Sequence, residues 1–296
     1  MKILIPLFLL LLPGMLWAAE DIEPAGIATP TSGSERMAAR LAEIRSLPLE
    51  GEQLQLMTAE GEAFAIYLPD SSGKRLGAVV LLHDHHKHLL DPPFDDLRRG
   101  LSRHGWDTLT IQLPTRRADE NPLNWLDRSK DHLNAAQDYL EGQESGPKVL
   151  LAQGSGALLA TDWLFNATRD KVLGLIALSM DGSANEEPRL DGPRQLAKVN
   201  VPVLDIYATH DSPLVRLTAA RRAREAQRPP RDSDDTRIRY RDIATDYDTD
   251  KGNLVHFRQL QIIAQDHTFH PNQELLLRAV RGWLLRHPQS PKEKTP

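Results

Sequence analysis

Two hydrophobic rhythms alternate along most of this 296-residue chain. Short, nearly continuous apolar runs read as strands at Leu54–Met57 and Ala63–Leu68, then Ala78–Leu82, Thr108–Leu113 and Val149–Leu151, and later Leu173–Leu178, Val203–Tyr207 and Gln259–Ala264. Gly61 splits the first two into a hairpin. Several of these runs are near-continuous in Val, Ile, Leu and Ala, the mark of parallel strands covered on both faces. Between them apolar residues return every three or four positions, which predicts helices over Phe94–His104, Asn124–Leu140, Ala157–Asn166, Pro213–Ala226 and Gln273–Leu285. Phe94, Leu97 and Leu101 form one such stripe, and Leu276, Val280, Trp283 and Leu284 another. A hairpin followed by alternating strand and helix implies an α/β fold: a mainly parallel sheet with helices on both faces. Trp106, Trp125, Trp163 and Trp283 fall on these stripes and runs, so core packing is expected of each.

The rhythm fails in three places. Residues 1–19 carry Lys2, an apolar run from Ile3 to Leu12 and a small-residue end at Ala18-Ala19, the layout of a cleavable signal peptide. The run is shorter than the roughly 20 residues a spanning helix needs. No cysteine follows it, so lipid attachment there is excluded, and the expected product is periplasmic or secreted, with no membrane span once the signal is removed. Residues 20–48 are rich in Pro, Ser, Thr and Gly, with an amphipathic stretch around Met37 to Ile44, and read as a flexible leader with one possible helix. Residues 228–253 are densely charged and read as a solvated insertion, with a possible edge strand at Arg237–Ile243. The domain proper spans 49–287, and 288–296 form a polar tail.

Composition narrows the function. The net charge of −5 mixes both signs and only 5% of residues are aromatic, so neither a basic footprint nor stacking platforms point to nucleic acid. There is no cysteine, so stability rests on the core alone, and nothing in the chain calls for a cofactor.

The candidate chemistry lies at strand ends. Val149–Ala157, VLLAQGSGA, has the strand, small-residue turn and helix of a G-x-S-x-G nucleophile elbow. On that pattern Ala152 and Gly156 take the small positions, Gln153 precedes the apex, and the apex is Gly154, which has no side chain to attack with. Downstream, Asp211 follows the strand ending at Tyr207, and His267 follows the strand ending at Ala264. That is the chain order nucleophile, acid, histidine, in which the acid fixes the imidazole tautomer. Asp181 is an alternative acid, whereas Asp266 reads as a solvated loop residue. Asp211 also suits the start of the helix from Pro213, and a lone histidine on a loop is common.

On VVLLHDHHKH, HGWDTLTIQLP, LLAQGSGA, VPVLDIYATHDSP and AQDHTF, the domain resembles the α/β-hydrolase superfamily, and more narrowly a family of exported bacterial α/β-hydrolase-like proteins. The resemblance implies the fold, a site at the carboxyl ends of the central strands, and glycine at the elbow as a family trait. It also implies oxyanion-hole donors from the backbone of Ser155 and of Asp84 or His85.

Three functions stay open. The first is a hydrolase-like protein with a degenerate or atypical site at Gly154, binding a small-molecule or cell-envelope ligand in the old substrate cleft. The second is an active esterase or amidase in which Asp211 and His267 activate Ser155, or a water admitted to the space beside Gly154. The third is a metal-dependent hydrolase, since His83, His85 and His88 form an H-x-H-x-x-H pattern suited to zinc. Lys87 stands where that pattern wants an aspartate.

Overall fold

The computed structural model describes residues 32–166, 172–199, 201–227 and 257–286. Among these residues there are eight strands: β1 Glu52–Thr58, β2 Gly61–Leu68, β3 Gly77–Leu82, β4 Trp106–Ile111, β5 Lys148–Gln153, β6 Leu175–Leu178, β7 Val203–Ala208 and β8 Phe257–Ile262. They form one sheet in the order β1-β2-β4-β3-β5-β6-β7-β8. β2 runs antiparallel to β1 and β4, and every other pairing is parallel.

Alternation along the central strands builds two cores. Val80, Leu82, Leu150 and Ala152 face one apolar cluster, whereas Val79, Leu81, Val149 and Leu151 face the other. A central strand of such residues has no solvent face, which is why its sequence is continuously apolar. The first cluster is covered by α3 (Pro122–Gly142) and α4 (Ser155–Asn166). The second is covered by α2 (Phe94–Ser102) and α8 (Gln273–Leu284). All four tryptophans named above are buried.

Several helix starts are written locally. Asn121 accepts from the Leu123 N–H ahead of Pro122, and Ser212 accepts from the Val215 N–H ahead of Pro213. Both place proline where its missing N–H costs nothing. The helix expected over Pro213–Ala226 is two helices, α6 (Pro213–Leu217) and α7 (Ala219–Ala226), broken at Thr218. Between β6 and β7 lie a 3-10 turn at Pro188–Leu190 and a short α5, Gly192–Leu196, neither of which has enough apolar spacing to announce itself.

The possible helix within residues 20–48 is present and longer than the amphipathic stretch from Met37 to Ile44. Gly33–Arg45 is a helix, α1, opened by a capping box between Ser32 and Glu35. Its Ile44 packs with Phe64, Ile66 and Leu89 in a third cluster. The expected signal peptide, the charged insertion with its possible edge strand, and the expected tail lie outside the described residues.

Candidate active site at the strand ends

The carboxyl ends of β3, β5, β6, β7 and β8 open into one cleft of about 490 Å³. Each strand sends at least one residue into its wall: Asp84 to Lys87 after β3, Gln153 to Ser155 around the end of β5, Ser179 after β6, Asp211 and Ser212 after β7, and His267 after β8. Clefts at this edge of parallel sheets are where such folds bind ligands.

The β5–α4 turn has elbow geometry. Gly154 adopts φ +55°, a left-handed conformation that glycine accepts without strain, and Ser155 starts α4. Two residues on, a β-carbon at Gly156 would lie 2.5 Å from the Leu82 carbonyl oxygen, so only glycine lets α4 approach the end of β3. The space beside Gly154 is not left for water. A β-carbon there would lie 2.0 Å from Asp84 Oδ2, so a carboxylate from the β3 loop stands where an elbow side chain would emerge.

That carboxylate is firmly held. Asp84 Oδ2 accepts the Ser155 N–H at 3.1 Å, and Oδ1 accepts the His86 N–H at 3.1 Å. Oδ1 also lies 3.1 Å from His85 Nδ1. Burial alone would raise the Asp84 pKa. The His85 hydrogen bond, the Ser155 and His86 amides and the His85 charge outweigh it and hold the carboxyl well below its ordinary range. The Ser155 amide, expected as an oxyanion donor, is therefore already engaged by an internal anion. The His85 amide is engaged too, donating to Ser155 Oγ at 2.9 Å.

Ser155 Oγ also lies 2.9 Å from His85 Nδ1, which at first sight suggests a relay of Ser155, His85 and Asp84. The relay fails because both partners use the same nitrogen. A base must take the serine proton on one ring nitrogen while the other donates to the carboxylate. Here Nδ1 meets both groups, and Nε2 is buried without a hydrogen-bond partner among the described residues.

Gly154, Ser155, Asp211 and His267 all line the cleft, and so does the alternative acid Asp181. The contacts within this set differ from those of a triad. Asp211 is buried, and its Oδ2 accepts from Ser179 Oγ at 2.5 Å and from the Ala208 N–H at 3.2 Å. Its Oδ1 accepts the Ser212 N–H at 2.9 Å. No hydrogen bond joins Asp211 to His267 among the described residues, and the His267 main-chain oxygen accepts from Gln153 Nε2 at 2.6 Å. Asp181 Oδ1 is taken by the N–H and Oγ of Ser183, and Asp266 Oδ1 likewise by Thr268.

The zinc reading of the histidine loop is corrected by His83. This residue is fully buried, with Nδ1 2.7 Å from the Asp84 carbonyl oxygen and Nε2 accepting the Leu113 N–H at 2.9 Å. Both nitrogens are spent, so His83 cannot ligate a metal. His88 Nε2 pairs with Asp91 at 3.0 Å instead. Among the described residues no group of three or more His, Asp or Glu is arranged to hold an ion.

Two contributors escaped the sequence. The Asp84 side chain was hidden because its loop is normally read for backbone N–H groups; the signal was a carboxylate there together with a glycine apex. Ser179 left no trace, since its positive φ of 48° depends on the tertiary setting.

Residues 2–126 and 123–235 match a protein family of unknown function, DUF3530. The chain belongs to this family. Solved structures similar to it are α/β hydrolases. Est1E from Butyrivibrio proteoclasticus is 14% identical with a TM-score of 0.57, covering 79% of this chain and 97% of its own. A dienelactone hydrolase from Anabaena variabilis is 15% identical with a TM-score of 0.58, covering 81% and 99%. The esterase domain of a Rhodothermus marinus protein is 12% identical with a TM-score of 0.57, covering 80% and 98%. At such identities the likeness establishes the α/β-hydrolase fold and nothing of substrate. No curated protein matches the chain in sequence.

Proposed function

We propose that this family member is an exported α/β-hydrolase-fold protein whose cleft binds a ligand without nucleophilic catalysis. One observation carries the reading: the elbow apex is Gly154, and the Asp84 carboxylate occupies the space beside it while consuming the Ser155 amide. An acyl-transfer enzyme needs an attacking atom and empty donors for the oxyanion that develops. This cleft offers neither at the elbow. The lack of a hydrogen bond between Asp211 and His267 supports the same reading, because an imidazole with no carboxylate behind it is a weaker general base. Export rests on Lys2, the apolar run from Ile3 to Leu12 and Ala18-Ala19.

Steady-state hydrolysis of p-nitrophenyl acetate and butyrate tests the reading. The expected rate equals that of a His267→Ala variant at the same concentration. Turnover that disappears in that variant would instead establish an esterase working through His267.

A further inference from the structure

We infer that the inner end of the cleft takes an organic ammonium group, received by the Asp84 carboxylate and the Gln153 side-chain amide oxygen. The inference rests on the ligand-binding reading above and names the chemistry of the ligand. Gln153 is the last residue of β5, 2% exposed, and forms part of the cleft lining. Its Nε2 donates to the His267 carbonyl oxygen, which fixes the amide orientation because that carbonyl can only accept. Gln153 Oε1 is then a buried acceptor with no partner among the described residues. Leaving such an atom dry is costly, so it is a place where a ligand donor gains most.

The Asp84 carboxylate stands one residue along, against Gly154. Among the described residues its Oδ2 receives a single hydrogen bond, from the Ser155 amide, which leaves it capacity for another donor. Three carboxylates line the cleft, those of Asp84, Asp181 and Asp211, against one ammonium, that of Lys87. His85, His86 and His267 add ring nitrogens to the same wall. An ammonium supplies three donors and no acceptor, so it matches unsatisfied oxygens in a region of negative charge. A carboxylate ligand meets the opposite: like charge from Asp84, and an elbow amide already engaged. Leu158, Leu190 and Val215 give the cleft an apolar wall for the body of the ligand.

Calorimetric titration of the protein at pH 7 with benzylammonium, benzyl alcohol and benzoate separates the possibilities, since the three share one ring and differ in the polar group. The expected order is benzylammonium at least tenfold tighter than benzyl alcohol, with benzoate giving no binding. Asp84→Asn and, from the exposed turn after β6, Asp181→Asn should each weaken benzylammonium, the first by at least tenfold. Benzoate binding as tightly as benzylammonium overturns the inference, as does an absence of benzylammonium binding. The panel on the unaltered protein decides even if a variant does not fold. Either failure leaves the nucleophile-free reading standing, because that reading fails on ester turnover instead.

Discussion

A β-carbon on residue 154 would meet Asp84 Oδ2 at 2.0 Å, so the two positions are sterically coupled. Gly154→Ser should therefore destabilise the protein by about 1–3 kcal/mol in urea denaturation, from overpacking in a rigid turn. It should not create esterase activity. Adding Asp84→Gly should recover part of the loss, a non-additivity that a double-mutant cycle reads directly. Strictly additive effects would mean that the carboxylate does not occupy the elbow. His83 gives a second residue-level expectation. Burial is the main cause that lowers its pKa to about 4, from an ordinary 6.5. The unfolded chain takes up a proton near pH 6.5 that the folded chain refuses until about pH 4, so stability falls as pH drops through that window. The full effect is about 3 kcal/mol, and burial of His132 acts in the same direction. Nitrogen NMR of the ring should show a neutral imidazole with its proton on Nδ1 from pH 8 down to pH 5. Titration of His83 near 6.5 would contradict the buried double hydrogen bond.

Elements were legible to the extent that burial is periodic. β3 and β5 are covered on both faces, so their residues are almost all aliphatic and stand out in the chain. β6 has four residues, and the expected start at Leu173 overshot because apolar residues continue into the loop before Leu175. The break at Thr218 was illegible for a tertiary reason. Thr218 Oγ1 donates to the Leu214 main-chain oxygen and accepts from the Gly182 N–H, so a loop after β6 ends α6 where the sequence would carry it on. Beyond this break, α7 is pinned to the sheet by Arg222, fully buried with Nε 2.8 Å from Asp205 Oδ2 on β7. Gln259 on β8 donates to the same oxygen at 2.7 Å. Arg222→Met should cost about 3–5 kcal/mol in denaturant unfolding, because it strands a buried carboxylate. The paired change Asp205→Leu with Arg222→Met should restore much of that. A single variant as stable as the parent would show that Asp205 is neutral without its arginine.

For the whole molecule, strand order follows from the alternation of rhythms, and the cleft follows from strand order. The four residues that the sequence singles out, Gly154, Ser155, Asp211 and His267, line one cavity at the carboxyl ends of β3, β5, β6, β7 and β8. What the sequence missed were choices among hydrogen-bond partners: Asp211 with Ser179, and Asp84 with the elbow amide. Such choices turn on ångström-scale loop geometry that no periodicity encodes. Their joint consequence is a hydrolase scaffold whose elbow is filled from within. Intact-mass analysis after incubation with a fluorophosphonate addresses this consequence most directly, because the probe reports any activated serine regardless of substrate. The expected spectrum shows the unmodified mass alone. A stoichiometric adduct that maps to Ser155 and is lost in Ser155→Ala would show that the elbow still carries a working nucleophile.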